Sequence, residues 1–455
     1  MKQENNAFEI KKYIPLAVCL LFYMTFCFVF GVQVCADSDG YIQMIPEREP
    51  VYPLFLALLR KVFGEDGYFS VVIIIQNLFM AISVYLLCDF VTKELRLSQL
   101  CEYALISMHF AVAILCQFAA GRGSIYPNSI LTEGLALPLW TLFAYFMWKG
   151  ILKEDMKSVI TAAILTAVMM DVRKQMAVGY IALCGSVILC FLFHKGYFKK
   201  VAITIAVCVL SVLLALCGTR LYNFCLRGAF AQNTRDMNLV LTTSLYVADP
   251  EDASLIEDDV TRQLFVKTMN ILDEKECIYK YAPSGWRGLE EHYADSYDKI
   301  TVDTTGQLFR DYAASQGLTD SMEIDKEADR MSSVIVQSLL KDNASKYVKI
   351  YMASMANGFV NTVAKRNSVL DWYALFAYAI YVTLTIICLI NRKHRKAGKI
   401  GLMAMLGIIA NVGVTAALIF CQSRYMMYNM ALFYMGLIVM LYALIIDDGP
   451  SRRNK

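Results

Sequence analysis

The chain has 455 residues, of which 57% belong to the hydrophobic set and only 18% are charged, and its mean hydropathy is +0.47. Soluble domains are roughly 45–50% apolar and about 25% charged, so this composition excludes an ordinary soluble protein. The formal net charge of +3 is too small to indicate a nucleic-acid-binding protein. Most of the 14 cysteines lie singly in apolar runs without CxxC or Cys/His spacing, which argues against a disulfide framework or a cysteine metal site.

Repeated apolar runs of about 20 residues predict an all-α polytopic membrane protein with about ten transmembrane helices. The first run is long enough to cross a bilayer and no small-residue cleavage site follows it, so we expect it to be retained rather than removed as a signal peptide. The fifth run is short for a crossing, which is compatible with a tilted or partly re-entrant pair with the sixth. The predicted spans are 14–34, 68–89, 99–119, 128–148, 158–171, 175–193, 201–219, 370–390, 400–420 and 425–446.

Basic residues in the short loops predict the orientation of these spans. Lys and Arg concentrate on one side of the membrane, and the positive-inside rule then places both termini in the cytoplasm. The basic residues of these loops include Lys11, Lys12, Lys93, Arg96, Lys149, Lys153, Lys157, Lys195, Lys199, Lys200, Arg392, Lys393, Arg395, Lys396, Lys399, Arg452, Arg453 and Lys455. Intramembrane cysteines and Met-rich spans suit a bacterial cytoplasmic membrane, with an organelle membrane as the alternative.

This orientation divides the chain into three parts. Residues 1–219 form an N-terminal membrane module of about seven spans, with a first outer loop at 35–67, and residues 370–455 form a C-terminal module of about three spans. The part between them, 220–369, is too long for a plain loop, and helical patches occur near 254–276 and 322–365. We therefore expect a small, mostly helical extracytoplasmic segment there.

Ionisable side chains of both signs gather at the outer ends of the predicted spans. An ionisable group inside or beside the bilayer indicates a functional site by default. The residues concerned are Asp37, Asp39 and Arg48 in the first outer loop, Arg122, Glu133, Arg173, and Arg424 followed by Tyr425.

Several of these residues also have purely structural explanations. An ordinary position at a helix end or in a turn also explains Asp37 and Asp39. A role as interface anchors, with side chains that reach the lipid headgroups, also explains Arg173 and Arg424. Glu133 is also compatible with a simple ion pair to Arg122 or Arg173. Polar residues elsewhere have similar explanations, which predict a buried core histidine at His109, an exposed His292, and interhelical hydrogen bonds at Asn77 and Asn411.

Five short motifs occur in an informative order: ADSDGY after the first span, REPVYPLFLALLRKVFG, LTEGLALPLW at a span start, DVRKQ between two spans, and SRYMMYNMALFYMGLI opening the last span. This order resembles the GT-C superfamily of integral membrane glycosyltransferases, including the bacterial members described as mannosyltransferase-like or family-39-like. The likeness covers the topology of nearly the whole chain, although its motifs are short. The outer segment carries no motif of a known acceptor-binding domain.

The resemblance implies an inverting transfer of a sugar from a polyprenyl-phosphate donor to a lipid, glycan or protein acceptor on the outer face. Asp37 or Asp39 would be the general base, and Asp39 is preferred because Gly40 and Tyr41 follow it. Glu133 would match the family's acidic residue at the outer end of a later span. The donor phosphate would be held by Arg173 and Arg424, and the substrate-binding set would also include Arg48, Arg122 and Tyr425. The chemistry agrees, since such a transfer needs a carboxylate base and a stabilised leaving phosphate, which the planar guanidinium of Arg suits.

Metal use and two other functions remain open at this stage. Asp37-Ser38-Asp39 has the form of a metal-binding DxD, so a divalent cation, Mg²⁺ or Mn²⁺, is a candidate cofactor. A polymerase or ligase of polyprenyl-linked polysaccharide is the main alternative enzyme, but the acidic first loop disfavours it. A transporter or flippase predicts charges along a mid-membrane pathway and broken helices, whereas the charges here stay at one face. An inactive scaffold of the same shape is also compatible with the sequence.

Overall fold

The computed structural model describes residues 2–119, 126–192, 194, 196–364 and 368–445. Within these residues all regular secondary structure is helical and there is no strand, apart from one isolated bridge between Gln33 and Ser129. The prediction of an all-α polytopic fold is confirmed. The α-helices are α1 (Lys2–Phe30), α2 (Ser38–Ile42), α3 (Val51–Phe63), α4 (Tyr68–Leu95), α5 (Gln99–Ala119), α6 (Glu133–Leu152), α7 (Met156–Val172), α8 (Val178–Phe191), α9 (Tyr197–Arg227), α10 (Met237–Val247), α11 (Asp259–Glu274), α12 (Gly285–Ile300), α13 (Gly306–Ser315), α14 (Ser321–Leu339), α15 (Ala344–Val363), α16 (Ser368–Ile390), α17 (Arg395–Leu418) and α18 (Ser423–Ile445).

Nine helical stretches in the described part of the chain are long and apolar enough to cross a membrane, which makes this a multi-pass membrane protein. They are α1, α4, α5, α6, α9, α16, α17, α18, and α8 together with the 3₁₀ turn Lys174–Ala177 that precedes it. The fifth predicted span corresponds to α7, which has 17 residues. At 1.5 Å per residue α7 is about 25 Å long, short of the roughly 30 Å hydrocarbon core. The short length that the sequence indicated at this position is therefore confirmed.

The chain folds into two compact units. The first consists of Met1–Tyr222, Thr362–Asn411 and Ser423–Lys455, and the second consists of Asn223–Asn361 and Val412–Gln422. The second unit resembles the predicted extracytoplasmic segment in extent. It also includes Val412–Gln422, which the sequence had placed in the C-terminal membrane module.

Helix α4 is the centre of packing in the N-terminal half of the first unit, where it contacts α1, α3 and α6. In the C-terminal half, α18 packs against α5 and α16. Large apolar side chains remain exposed on α9 and α16, such as Leu213, Leu214 and Phe376. Such exposure is expected of side chains that face lipid rather than water.

Helix α3 buries one apolar face in the protein and leaves other apolar side chains exposed. Tyr52, Leu56 and Leu59 are buried, whereas Leu54 and Leu58 are exposed. Its proline-rich start is tolerated because the first N–H groups of a helix have no intrahelical acceptor. Helix α3 packs on α2, α4 and α7, and thereby supports the loop that carries the first acidic residues.

The second unit has its own hydrophobic core, formed mainly by α10–α14. Its helices bury one face each, as α14 shows with Ala328, Met331, Ile335 and Leu339 at intervals of three or four residues. Asp320 caps α14, because its Oδ1 accepts the N–H groups of the second and third helical residues at 3.0 Å each. The helical content expected for this segment is thus present in amphipathic, capped helices.

Candidate functional site

Five charged side chains of the first unit form one hydrogen-bonded cluster, which we call the arginine–carboxylate network: Asp37, Arg48, Glu133, Arg173 and Arg424. Arg424 lies at its centre, with Nη1 donating to Asp37 Oδ2 at 3.1 Å and Nε donating to Glu133 Oε1. Arg173 Nη1 donates to the same Glu133 oxygen at 2.6 Å. Arg48 Nη2 donates to Asp37 Oδ1 at 3.1 Å. Each residue had been singled out from the sequence, and the structure brings all five together.

Asp37 is positioned by the short turn that joins α1 to α2. The next residue, Ser38, is buried, and its Oγ donates to the carbonyl of Ile130 at 2.9 Å while accepting the N–H of Cys35 at 2.9 Å. Gln33 adds a pair of backbone hydrogen bonds to the same loop, one from its N–H to Asn128 and one from the N–H of Ile130 to its carbonyl. The turn after α1 is therefore tied to the loop that leads into α6.

Glu133 is the first residue of α6, and two amides of α4 hold the loop before it. Gln76 Nε2 donates to the carbonyls of Pro127 and Ser129 at 2.8 and 3.2 Å, and its Oε1 accepts the Tyr52 hydroxyl at 3.0 Å. Asn77 Nδ2 donates to Asn128 Oδ1 at 2.8 Å. These bonds replace the water that a buried loop needs for its polar groups. Asn77 thus joins α4 to this loop, whereas the sequence had predicted a hydrogen bond to another helix.

Gly134 follows Glu133 and touches Gln76 closely. A Cβ at Gly134 would overlap the amide of Gln76. Because that amide is fixed by three hydrogen bonds, the site needs glycine at position 134. The close approach of α4 and α6 therefore depends on a missing side chain rather than on a turn conformation.

Arg173 follows α7 in extended conformation and is held from three directions. Its Nε donates to Gln175 Oε1 at 3.0 Å, its Nη1 also donates to Thr132 Oγ1 at 3.2 Å, and its guanidinium lies 4.9 Å from the centre of the Tyr425 ring. Gln175 in turn donates from Nε2 to Asn411 Oδ1 at 3.0 Å, and Asn411 Nδ2 donates to the Tyr425 carbonyl at 2.8 Å. The interhelical role predicted for Asn411 is confirmed, and Tyr425 contributes its ring and its backbone.

Arg48 approaches Asp37 across the face of Tyr41. Its guanidinium lies 4.6 Å from the centre of the Tyr41 ring, a cation–π geometry. A Cβ at Gly40 would lie 2.9 Å from Arg48 Nε, so the glycine leaves room for this side chain. Gly40 thus contributes to the site by leaving room for Arg48, and Tyr41 contributes by packing its ring against the Arg48 guanidinium.

The network carries an excess of one positive charge, because three guanidinium groups face two carboxylates. Glu133 is its most buried member, with 1% of the side chain exposed, and Asp37 is its most accessible, with 39% exposed. The adjacent pair of Lys174 and Glu49, at 3.7 Å, adds no net charge. A partly accessible cluster with surplus guanidinium charge is suited to binding an anion.

Asp37 is ionised in this arrangement. Partial burial alone would raise the pKa of its carboxyl, but the charges and hydrogen bonds of Arg48 and Arg424 outweigh burial and lower that pKa. Its two oxygens are each held by a guanidinium, so Asp37 is a weak proton acceptor until one of these bonds is released. An anion that competes for Arg48 or Arg424 would release it.

Asp39 and Arg122 are placed differently from the other predicted site residues. Asp39 lies exposed in the first turn of α2, and within the described ranges its carboxylate has no hydrogen-bond or ion-pair partner. The structure therefore does not join it to the network, and the preference for Asp39 over Asp37 remains a prediction. Arg122 lies outside the described residues. The ion pair considered between Glu133 and Arg173 is present.

The two histidines singled out from the sequence have structural partners. His109 is buried in α5, as predicted, with Nε2 3.1 Å from Met435 Sδ. His292 was expected to be exposed, which is wrong, because it is half-buried between Tyr246, 2.8 Å from its Nδ1, and the Glu276 carbonyl, 2.9 Å from its Nε2. The amphipathic burial of α12 accounts for the difference. Neither histidine belongs to the network.

The residues do not fit a divalent cation at Asp37-Ser38-Asp39. Both oxygens of Asp37 face guanidinium groups, which repel a cation, and Ser38 Oγ is used in backbone hydrogen bonds. In addition, no group of three or more His, Cys, Asp or Glu side chains arranged for a metal occurs among the residues that the structure describes. We therefore derive no step that involves a metal.

Sequence reasoning overlooked Gln76, Gln175 and Thr132, which hold the charged residues in place. Gln76 and Asn77 form the amide pair of an otherwise apolar stretch of α4, and that pair was a usable signal. Gln175 stands within the DVRKQ motif. Searches of protein-family models, curated proteins and solved structures found no match to this chain.

Proposed function

We propose that this protein is an integral membrane glycosyltransferase that moves a sugar from a polyprenyl-phosphate donor to an acceptor hydroxyl. The observation that carries the proposal is the position of Arg424, which bridges Asp37 and Glu133 while Arg48 and Arg173 flank it. The network combines a carboxylate that can take a proton with guanidinium groups that can hold a phosphate. These are the two functions that the transfer requires.

In the proposed reaction the donor phosphate binds Arg424 together with Arg48 or Arg173. The acceptor hydroxyl attacks the anomeric carbon, the new glycosidic C–O bond forms, and the bond from that carbon to the phosphate oxygen breaks. The bonding electrons leave with the phosphate, whose growing negative charge the guanidinium groups stabilise. The hydroxyl proton passes to Asp37. A single displacement of this kind inverts the anomeric configuration.

The choice of Asp37 as base follows from its place in the network rather than from the local sequence. While Arg48 and Arg424 hold it, Asp37 is a weak base. The donor phosphate competes for the same guanidinium groups, which weakens their hold on the carboxylate and raises its affinity for a proton. Binding of the donor would thereby prepare the base for the step that follows.

The network is proposed to face the extracytoplasmic side. It lies where α1 ends and where α6 and α18 begin, whereas the Lys and Arg residues of the short loops cluster near the opposite ends of these helices. By the positive-inside rule both termini would then be cytoplasmic. A site at that level of the membrane suits a donor whose polyprenyl chain remains in the bilayer.

The experiment compares the wild type with Asp37→Asn, Asp39→Asn and Arg424→Lys, each purified in detergent and given a panel of polyprenyl-phosphate sugars and candidate acceptors. Release of free polyprenyl phosphate and formation of the glycoside are measured. We expect Asp37→Asn to lower turnover by roughly 10²–10⁴-fold, the usual contribution of a general base, with donor binding retained. Asp39→Asn is its matched control, since it makes the same chemical change two residues away outside the network.

Each outcome has a distinct meaning. Loss of turnover in Asp39→Asn with retention in Asp37→Asn would restore the assignment preferred from the sequence and overturn the one made here. Retained turnover in both would remove a carboxylate base from this loop. Glycan chain growth on a polyprenyl carrier that needs Arg424 but neither aspartate would instead indicate the polymerase or ligase. Wild-type binding of donor without turnover under any acceptor condition would contradict the enzymatic proposal.

A further inference from the structure

A second charged pocket lies at the other end of the first unit's helices. It is a cavity of about 260 Å³, and its lining includes Arg96 just after α4, Lys393 and His394 just before α17, Lys396 in the first turn of α17, and Tyr442 near the end of α18. Along α18, the distance from Arg424 to Tyr442 is roughly 27 Å at 1.5 Å per residue, close to the thickness of a hydrocarbon core. The pocket and the arginine–carboxylate network therefore lie near opposite membrane surfaces.

The charge of the pocket favours an anion. The lining of the pocket contains three cationic side chains but only one carboxylate, that of Glu94. That carboxylate is already engaged, because Lys396 Nζ lies 2.5 Å from one oxygen and Lys153 Nζ lies 3.5 Å from the other. Within the described part of the chain, Arg96 has no ion-pair partner. The lining thus retains positive charge that its own acidic residue does not neutralise.

A buried polar atom in the lining independently indicates a missing partner. His394 is only 3% exposed, yet its Nε2 has no hydrogen-bond partner among the described residues. It directly precedes α17, a helix of 24 residues whose first turn offers N–H groups without intrahelical acceptors. Basic side chains beside the first turn of a helix form a donor set that binds phosphate, and the unpartnered nitrogen belongs to a residue of the same lining.

We propose that this pocket binds a phosphate group, most readily that of an anionic phospholipid headgroup in the membrane leaflet at that surface. The lipid is the favoured source because the pocket lies between the ends of membrane-spanning helices, where headgroups are concentrated, and basic pockets between such helices bind anionic lipids. A soluble phosphorylated compound offers the same chemistry. None of the pocket residues belongs to the arginine–carboxylate network, so phosphate binding here is independent of the proposed glycosyltransferase activity.

The test measures ligand binding to the full-length protein in a neutral detergent by native mass spectrometry. The probes are dihexanoyl phosphatidylglycerol, dihexanoyl phosphatidylcholine, glycerol phosphate and inorganic phosphate. The pocket variant carries Arg96→Gln and Lys396→Gln. Its matched control carries Lys157→Gln and Lys199→Gln, which remove the same charge from two exposed lysines at the same end of the helices but outside the cavity.

We expect phosphatidylglycerol to bind more tightly than phosphatidylcholine, with affinity at least about tenfold lower in the pocket variant, as the loss of two basic side chains implies. The control should change affinity by less than about twofold. If glycerol phosphate or inorganic phosphate binds as tightly as the lipid and shows the same dependence, the phosphate site is upheld and its ligand is soluble. Absence of binding by every probe, or an equal response of both variants, overturns the proposal.

His394 provides a second measurement that does not depend on total charge. His394→Gln keeps an N–H donor of similar reach, whereas His394→Leu removes it, and the two variants carry the same charge. If both proteins retain the wild-type unfolding temperature within a few degrees, we expect only His394→Leu to lose phosphatidylglycerol affinity. Equal affinity in these two variants would show that the buried nitrogen has no part in binding.

Discussion

At Arg424 a single side chain contacts two carboxylates through two different nitrogens, Nη1 on Asp37 and Nε on Glu133. The planar guanidinium permits this, because its donors point in fixed and separate directions. A lysine at the same position offers one compact ammonium group and cannot span both acids. The specificity of the network thus depends on the shape of this cation as well as on its charge.

Gly134 gives a test of the packing that holds Glu133. We expect Gly134→Ala to destabilise the protein by about 1–3 kcal/mol, the usual cost of overpacking, because the new Cβ would overlap the bonded amide of Gln76. Thermal unfolding in detergent measures the change. Gly185→Ala is the control, since its Cβ would meet only Leu406, at 3.8 Å, and alanine favours helix by up to about 1 kcal/mol.

Gln76→Ala supplies the second half of this test. It costs three hydrogen bonds but makes room for the Cβ at position 134. The double variant should therefore be less destabilised than the sum of the two single variants. Strict additivity would mean that the two residues are not in the contact described here.

At the scale of elements, the supports of the site come from helices that carry none of its charges. Helix α4 contributes Gln76 and Asn77, and α17 contributes Asn411. In the second unit, Asp329 of α14 has a comparable role, because its Oδ2 accepts the N–H of Arg235 at 2.7 Å. Arg235 has φ +64°, an unusual conformation for a residue with a side chain, and Asp329 stabilises it just before α10.

Asp329 makes the second unit sensitive to pH. Burial raises its pKa to about 6, against the lowering effect of the Arg235 amide, and the nearby carboxylates of Asp236 and Asp325 raise it further. A folded-state pKa above the unfolded value means that protonation stabilises the fold. This contribution is present below pH about 4 and is lost as pH rises to about 6. Because Asp329 is partly exposed and solvent screens its charge, we expect its protonation to contribute less than about 1 kcal/mol to the free energy of unfolding.

The prediction is that Asp329→Asn, which keeps an acceptor but cannot ionise, raises the unfolding temperature of the full-length protein at pH 7 and not at pH 4. The measured quantity is the difference between variant and wild type at each pH, which cancels the titration of other groups. Asp342→Asn, an exposed position near the end of α14, is the control. A difference that is the same at both pH values would contradict the raised pKa.

The sequence predicted the membrane-spanning helices more completely than it predicted the arginine–carboxylate network. A span is visible locally, because about 20 apolar residues in a row carry the signal themselves. Which of Asp37 and Asp39 joins the network was not visible locally, because both lie in one acidic turn. It depends on the bond from Ser38 to Ile130, which joins residues 92 positions apart and orients the turn.

At the scale of the whole molecule, the orientation in the membrane is the main prediction still to be measured. The positive-inside rule places both termini in the cytoplasm. A fluorescent protein fused after Lys455 should then fluoresce, and alkaline phosphatase inserted after Gly317, an exposed turn between α13 and α14, should be active. Phosphatase fused after Lys455 is the control and should be inactive. Activity at the terminus and none at Gly317 would reverse the orientation and the proposed side of the site.

The bond between Arg424 and Asp37 joins positions 387 residues apart, one directly after the first span and the other opening the last. At ordinary rates of synthesis, roughly 5–20 residues per second, the first loop emerges from the ribosome roughly 20–80 seconds before its partner. Once residue 173 has been synthesised, Arg173 can pair with Glu133, but Asp37 and Glu133 both still lack the shared guanidinium. The network closes only after Arg424 of α18 is in place, so a chain that stops between residues 174 and 423 carries every other member of the network but not the residue that joins them.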